Sequence, residues 1–348
     1  MVNEKDLKTF FESRGNWKDY EYGEDHGLYL LYYDPKFWNI KGYYSYKPMI
    51  RNIIDNRKMI SDKGNVLPYL LNENKDLEYY IKVYDGVVNV YKIYQNPYLL
   101  EDMKKYFDNS YKLFTPVIGN ISKNRIFDDF KTFEKYVNKL IKNNEKDWKK
   151  GIVKKKNFVK KTDAISKKTI ESEEKWYVRD ITKNLLLYDG KEFVVTFHYI
   201  YAPDKEKGFL HKDMRITTSN TKFDEDDFKN PKMHYYDNIT DVSLEDYLGN
   251  GKNYKNVMKQ IKNIFKIITQ SMNGKCYEEN KYCFITFKSQ IYIQKDYRVF
   301  IWTIDDNINY FNEKETYLDI LGGIMYHIID PIFPPKNKVE KYKNFIDL

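Results

Sequence analysis

The stretch that decides the fold is WYVRDITKNLLLYDGKEFVVTFHYI, which runs from Trp176 to Ile200. It contains most of two runs of β-branched and aromatic residues, Lys175–Ile181 and Phe193–Tyr201, and such runs are typical of strands. Tyr188-Asp189-Gly190 lies between them and is a turn signal, because Asp and Gly tolerate the backbone angles that tight turns need. The stretch therefore predicts two strands joined through a turn.

Further strand and helix patterns lie on both sides of this stretch. Phe284–Ile293 and Tyr297–Ile304 alternate and predict a hairpin that turns at Gln294-Lys295-Asp296. The run Leu77–Tyr94 predicts two more strands, joined near Asp85-Gly86. Helices are predicted over Phe127–Leu140, Val257–Met272 and Glu315–Ile329. Together these patterns predict an α+β protein with antiparallel sheets and flanking helices.

Length and composition set the class of protein. The 348 residues correspond to about two or three domains. We predict a small N-terminal α/β module (1–95), a central subdomain (96–200) and a C-terminal subdomain (201–348). Aromatic residues make up 17% of the chain, which excludes wholesale disorder. The two cysteines, which we expect to be reduced, and the five histidines are too few for a zinc cluster.

The expected cellular location follows from two features that the sequence does not show, a membrane-spanning stretch and a secretory signal. No stretch approaches the roughly 20 apolar residues that cross a bilayer. The N-terminal residues 1–18 are charged throughout and do not form a secretory signal. We therefore expect a soluble, cytoplasmic protein with no membrane partner. The abundance of Lys, Asn, Ile and Tyr indicates an A+T-rich genome such as that of a large DNA virus, and a virion component is compatible with it.

The charge pattern leaves two interpretations open. The net charge is +8, and lysines are concentrated between residues 149 and 168. Such a run favours contact with a polyanion, either nucleic acid, nucleotide phosphates or an acidic protein tail. It equally fits a solvated loop in a chain whose codons supply lysine without selection for binding. Because no zinc-finger spacing or RNP-type aromatic pattern accompanies it, nucleic acid is not the favoured partner.

Four segments together resemble the tubulin tyrosine ligase-like branch of the ATP-grasp ligases. That family has a segment W-V-V-Q-K-Y-I-E-N-P-L-L-I-D-G-R-K-F-D-I-R, and the present chain follows it without a gap. The matching positions are Trp176, Val178, Asn184, Leu186, Asp189, Gly190 and Phe193. Gln260–Met272 is similar to the family's late helix, Phe284–Asn307 to its hairpin F-x-L-F-G-x-D-x-x-x-D-x-x-x-x-x-W-L-x-E-x-N, and the segment from Gly322 to its C-terminal helix. The resemblance implies an ATP-grasp-like fold.

The resemblance also implies where ATP and Mg²⁺ would bind. The phosphate lysine of the family stands in a strand-end motif, I-V-K-P, and Lys142 is the candidate for it because Lys142 lies nine residues before Gly151. Arg179 and Asp180 stand where the family has the Gln-Lys pair at the adenine edge. Asp237 ends His234-Tyr235-Tyr236-Asp237, the counterpart of the family's H-L-T-N motif, and completes the candidate cofactor-binding set.

The catalytic and metal positions depart from the family pattern. Glu192, Val194 and Thr196 replace the Lys, Asp and Arg of its K-F-D-x-R motif. Arg215 is the candidate that stabilises charge, and His211 competes with it for the same register. The Asp, Glu and Asn that hold Mg²⁺ correspond to Gln290, Thr303 and Asp305. Asp306 or Asn307 becomes a ligand if a one-residue bulge shifts the register, so Asp305-Asp306-Asn307 is the remaining acidic cluster. Two of the three ligands have therefore lost their charge or ligand strength.

These departures lead to three hypotheses. The first is a degenerate tubulin tyrosine ligase-like protein, a pseudoenzyme with a binding or structural role and no need for a cofactor. The second is an active ATP- and Mg²⁺-dependent amino-acid ligase that modifies an acidic protein tail and uses Lys142, Arg215 and Asp305. The third is a nucleic-acid-binding protein that uses the lysine run.

Overall fold

The computed structural model describes residues 4–15, 29–31, 49–51, 66–81, 83–107, 111–116, 125–149, 175–272, 282–305, 314–339 and 342–348. Residues 150–168 of the lysine run, Gly151 and Asn307 lie outside the described residues, so the predictions that concern them stay predictions. No helix among those described combines the length and the apolar character that crossing a membrane requires.

The described strands and helices are as follows. The strands are β1 (Tyr29–Leu31), β2 (Met49–Arg51), β3 (Val83–Asn89), β4 (Tyr111–Pro116), β5 (Arg125–Phe127), β6 (Lys175–Ile181), β7 (Leu187–Tyr188), β8 (Lys191–Ala202), β9 (Lys207–His211), β10 (Arg215–Ser219), β11 (Tyr236–Ser243), β12 (Tyr282–Cys283), β13 (Ile285–Ile293), β14 (Val299–Asp305) and β15 (Phe345–Asp347). The α-helices are α1 (Glu4–Glu12), α2 (Val66–Glu73), α3 (Val90–Gln95), α4 (Tyr98–Glu101), α5 (Phe130–Lys149), α6 (Leu244–Leu248), α7 (Lys252–Ser271) and α8 (Lys314–Ile324). Met325–Ile329 continues α8 as one wider turn.

Strand β8 is the centre of an eight-stranded antiparallel sheet, which we call the large sheet. It pairs with β13 on one side and with β10 and β9 on the other. Strands β14, β11 and β15 extend the sheet outward, and β7 folds back on the start of β8. Asp189 and Gly190 both have positive φ at that turn, as the Asp-Gly signal predicts.

Helix α7 covers one face of the large sheet. The residues of β8 that point toward it are Phe193, Val195, Phe197, Tyr199 and Tyr201, all of them buried. The Phe197 ring meets that of Phe265 edge-on at 5.2 Å, and the Tyr199 hydroxyl shares a hydrogen bond with Thr269 Oγ1 at 2.9 Å. Since burying one large apolar side chain contributes about 1.5–3 kcal/mol, this interface is the main core of the protein.

A four-stranded antiparallel sheet, the small sheet, has the order β3-β6-β4-β5. One face packs on α5, where Phe114 of β4 stacks on Trp176 of β6 with ring centroids 4.4 Å apart. The opposite face meets the large sheet in an apolar cluster. Its buried members are Leu113, Ile126, Ile181 and Phe228, with Trp302 packed against them.

The predicted α+β class, with antiparallel sheets and flanking helices, is confirmed. Strand Lys175–Ile181 has the predicted bounds, and β13 and β14 form the predicted hairpin. Helix α7 starts five residues earlier than predicted, and α5 continues nine residues further. These elements have strong local periodicity, which is why the sequence alone identifies them.

Two predictions are wrong. Leu77–Tyr94 contains one strand instead of two, because the Asn89 side chain accepts a hydrogen bond from the Lys92 N–H and caps α3. Lys75–Tyr79 is a 3₁₀-helix capped in the same way by Asn74. The other error concerns the cysteines, since Cys283 is in a disulfide instead of being reduced.

The division at residues 95 and 200 stays a prediction, but strand pairing crosses the first of these positions. Strand β3 belongs to the small sheet, next to β6. The N-terminal residues also contribute to a parallel sheet with the order β1-β2-β12, whose third strand comes from residues 282–283. The N-terminal part of the chain is therefore built into both later regions.

We predict that Gly323→Ala destabilises the protein although alanine favours helices by about 1 kcal/mol over glycine. A Cβ at position 323 would lie 2.0 Å from the ring of Phe345, which is buried in the cluster under α8. Overpacking of this kind costs about 1–3 kcal/mol, and urea unfolding measures it. Gly251→Ala is the control, because a Cβ there meets nothing within 4 Å. Equal stability of the two variants would contradict the close packing of the C-terminal strand on α8.

Candidate functional site

The face of the large sheet opposite α7 is covered at its two ends and polar between them. At one end Ile200 and Ala202 of β8 pack under α8. At the other end Trp302 joins the small sheet. The side chains between these ends, which we call the polar strip, are Thr196, His198, Arg215, Lys288, Gln290 and Thr303. All but Thr196 are partly exposed, so the strip is accessible to solvent.

Four positions of the polar strip form one cross-strand row. Arg215 pairs with Thr196, Thr196 with Gln290, and Gln290 with Thr303. Gln290 Nε2 donates to Thr196 Oγ1 at 3.1 Å, and Thr196 Oγ1 shares a further hydrogen bond with Thr217 Oγ1 at 2.8 Å. The structure thus brings together three predicted positions that lie far apart in the sequence: Arg215, Gln290 and Thr303.

A second row lies one step along the same face. Lys288 pairs with His198 on β8 and with Asp305 on β14. Desolvation, together with electrostatic interactions with His211 and Lys288, lowers the pKa of His198 to about 3. His198 is therefore neutral at physiological pH, and the positive charge of this row belongs to the lysine.

The described side chains of the two rows do not fit a magnesium ion. Mg²⁺ prefers carboxylate oxygens in a near-octahedral arrangement. The first row offers hydroxyls, an amide and a guanidinium, and the second places Lys288 next to it. Within the described part of the chain, no cluster of three His, Cys, Asp or Glu side chains has a geometry suited to a metal ion. Asp305 occupies the predicted place in β14, and Asn307 lies outside the described residues.

Arg179 connects the small sheet to the large sheet. Its Nη1 donates to the Trp302 carbonyl at 2.8 Å, and its guanidinium lies 4.6 Å from the centre of the Trp302 ring. Strand β14 has one extra residue at this point. Gln290 pairs with Thr303 and Ile291 with Ile301, so Trp302 has no strand partner opposite it on β13. A bulge of this type redirects a side chain, here toward the guanidinium.

Asp180 is also engaged by the protein itself. Its carboxylate forms an ion pair with Lys112 of β4, which lies directly opposite in the small sheet. The lysine is buried and the aspartate partly exposed. Arg179 and Asp180, the predicted adenine-edge pair, therefore point to opposite faces of β6, and each is held by a partner within the chain.

Glu192, His234 and Tyr236 form a buried polar cluster beside Trp302. His234 Nε2 lies 2.9 Å from the Phe228 carbonyl, which can only accept, so this nitrogen carries a proton. Nδ1 lies 2.8 Å from Glu192 Oε2, which also accepts from the Tyr236 hydroxyl at 3.0 Å. Desolvation and the negative charge of Glu192 raise the pKa of Tyr236 well above its usual value. The cluster holds β8 to the segment that precedes β11.

Two further predicted cofactor positions lie elsewhere. Lys142 is an exposed residue within α5, whereas the phosphate lysine of the family motif stands at the end of a strand. Asp237 is exposed on β11 and accepts from Asn220 Nδ2 at 2.6 Å. Their roles as nucleotide ligands stay predictions.

Sequence reasoning missed the hairpin of β4 and β5. The family motif I-V-K-P sits at a strand end, and β4 ends in Phe114-Thr115-Pro116, next to β6 and followed by a glycine at position 119. The proline was the signal that could have identified this strand. If the two prolines are aligned, Thr115 stands at the position of the lysine in that motif.

Comparison with known proteins supports the fold. No protein-family model matches the sequence, and no curated protein matches it. The C-terminal domain of K. lactis Pby1, described as an ATP-grasp enzyme that interacts with the mRNA decapping enzyme Dcp2, superposes with a TM-score of 0.54. The identity is 11%, over 86% of this chain and 81% of that chain. A likeness at this identity concerns the fold alone, and the fold of this chain is ATP-grasp-like.

We predict that Glu192→Ala destabilises the protein by about 3–5 kcal/mol, because it leaves His234 and Tyr236 buried without their acceptor. Urea unfolding measures the loss. The matched control is Asp296→Ala, which removes a carboxylate from an exposed pair with Arg298 and is expected to change stability little. If the two variants lose the same stability, the buried cluster does not hold these segments together.

We also predict that His198 lowers stability in acid. Its folded-state pKa of about 3 lies below the unfolded value of about 6.5, so the unfolded chain binds the proton first and stability falls as the pH drops below 6.5. Between pH 7 and pH 5 this group accounts for about 2 kcal/mol. Urea unfolding of the wild-type protein and of His198→Asn at both pH values measures the contribution of His198 to this loss of stability. An unchanged pH dependence in the variant would contradict the neutral, desolvated histidine.

Proposed function

We propose that this protein is a divergent relative of the tubulin tyrosine ligase-like proteins that has lost Mg²⁺-dependent ligase chemistry and acts by binding a protein partner. The observation that carries the proposal is the row Arg215–Thr196–Gln290–Thr303. The resemblance places the charged and metal-binding groups of the family at these positions. Three of the four residues are neutral, and the fourth is a cation.

Electrostatics support this loss of metal binding. Lys288 lies two residues from Gln290 on β13, and Thr303 is its diagonal neighbour on β14 at about 7–8 Å, so its long side chain can approach an ion held between Gln290 and Thr303. A lysine near these positions repels a divalent cation, and of the three positions that correspond to metal ligands only Asp305 is a carboxylate. The phosphate lysine of the family also has no counterpart at the end of β4.

The contacts of β6 support the loss of the adenine site. Arg179 makes two contacts with Trp302: its guanidinium forms a cation–π contact with the ring, and its Nη1 donates a hydrogen bond to the carbonyl. A purine at the edge of β6 would have to displace this contact, which joins the two sheets. The likeness to Pby1, whose described partner is a protein, favours a protein partner for this chain over a small-molecule substrate.

We predict that Mg·ATP does not raise the thermal unfolding midpoint of the full chain beyond the effect of ATP alone. A ligand that binds only the folded state at a hundredfold excess over Kd would stabilise it by about 2.7 kcal/mol, which such a scan detects. A shift that requires Mg²⁺ and disappears in Asp305→Ala would contradict the proposal. It would favour instead an active ligase that modifies an acidic tail.

A further inference from the structure

The solvent-exposed side of α7 is basic along its length. Its lysines recur every three or four residues, so they form one stripe about 21 Å long on the side of the helix that faces away from the large sheet. The members of this lysine stripe, all of them exposed, are Lys252, Lys255, Lys259, Lys262 and Lys266. Within the described part of the chain, none of these five side chains has an ion-pair partner. Their charges are therefore available to an external anion.

The general abundance of lysine does not account for the charge of α7. The chain has 51 acidic residues among 348, so a segment of twenty residues would contain about three of them. Helix α5 has the same length, and its sequence contains Glu134, Glu145 and Asp147 as well as lysines. Helix α7 contains no Asp or Glu. Lysines four residues apart repel one another, and an anionic partner would relieve this repulsion.

An exposed aromatic ring lies beside the lysine stripe. Tyr79 ends a 3₁₀-helix that contacts α7, and 63% of the residue is exposed. Its ring meets that of Tyr80 edge-on with the centroids 5.2 Å apart, and the Tyr80 hydroxyl accepts from Asn263 Nδ2 at 3.3 Å. Asn263 lies within about one helical turn of Lys259 and Lys266 on α7. Contacts within the chain thus hold the ring next to the stripe while most of it faces solvent.

The chemistry of this surface distinguishes the candidate anionic partners. The apolar side of α7 is buried on the large sheet, so the helix has no apolar face left to insert into a lipid surface. Protein interfaces are poor in lysine, which a stripe of lysines does not match. Lysines that contact phosphates, together with a ring on which a base stacks, are typical of sites for single-stranded nucleic acid.

Neutral side chains beside the lysine stripe favour RNA over DNA. Asn256 and Gln270 are exposed on the same side of α7. Their amides can both donate to and accept from a 2′-hydroxyl, the group that distinguishes RNA from DNA.

We propose that the lysine stripe and Tyr79 bind single-stranded RNA, with the lysines on its phosphates and the tyrosine ring stacked on a base. Lysines and one stacking ring contact no base edge, so the binding does not depend on the sequence of the RNA. The inference goes beyond the proposed function, because this surface and the polar strip lie on opposite sides of the large sheet. Failure of either proposal leaves the other standing.

Fluorescence anisotropy of the full chain with labelled (rU)20 tests the lysine stripe. Five phosphate contacts to a single strand predict that log Kd rises with log salt concentration with a slope of about 3.5. Replacing Lys259, Lys262 and Lys266 together by Gln should lower this slope by about 2 and raise Kd at least about tenfold. The thermal unfolding midpoint of each variant confirms that it is folded before titration.

The matched control removes the same charge from α5. Lys131, Lys135 and Lys139 are exposed and also lie on one side of their helix, and their joint replacement by Gln should change Kd by less than about twofold. Both triple variants retain the lysine run of residues 149–168 unchanged. Equal loss of affinity in the two variants, or no binding of (rU)20 to the wild-type chain, would overturn the inference.

Tyr79 has its own test, with sodium polyphosphate as a probe that has no bases. Tyr79→Ala should raise Kd for (rU)20 at least about fivefold and leave polyphosphate binding unchanged, whereas Tyr79→Phe retains the ring and should retain the affinity. Equal effects of Tyr79→Ala on both probes would overturn base stacking. Equal affinity for (dU)20 and (rU)20 would overturn the choice of RNA, and tighter binding of polyglutamate than of (rU)20 would replace RNA by an acidic protein.

Discussion

The register of strand β8 is the constraint on which the rest of the structure depends. Its twelve residues pair with β13 on one side and with β9 and β10 on the other, so its alternation decides which side chains of the large sheet point toward α7 and which form the polar strip. A shift by one residue would turn the aromatic core away from α7 and place Glu192, Thr196 and His198 against that helix instead. The packing of the apolar face of β8 on α7 therefore fixes where the side chains of its polar face lie.

The second constraint is the contact between the two sheets. The two sheets approach one another beside β6. In this protein the approach is filled by the Arg179–Trp302 pair, by Phe228 and by the buried cluster around Glu192. These contacts join the two sheets through side chains of the chain itself. The proposed function requires this, because a protein without a bound nucleotide must hold the two sheets together by its own contacts.

The sequence predicts the parts of the fold whose signals are local. Strand β6, the hairpin of β13 and β14 and helix α7 have strong periodicity, and the alignment they support identified Arg215, Gln290 and Thr303, which the structure places in one row. The rest depends on partners distant in the chain. The buried Lys112 is explained by Asp180, 68 residues later, and α3 begins where it does because of one Asn89 hydrogen bond. The pairing of Glu192 with His234 could not be predicted, because no local sequence pattern around either residue indicates a partner so distant in the chain.

The central claim is that the site does not hold a divalent metal ion, and electron paramagnetic resonance of Mn²⁺ tests it directly. Mn²⁺ shares the oxygen ligands of Mg²⁺, and its free ion gives a sharp signal that is lost on binding. The measurement titrates the full chain into Mn²⁺, first without ATP and then with it. The account predicts that the protein removes no more free Mn²⁺ than ATP alone does. A loss of signal at one ion per chain that Asp305→Ala abolishes would contradict it.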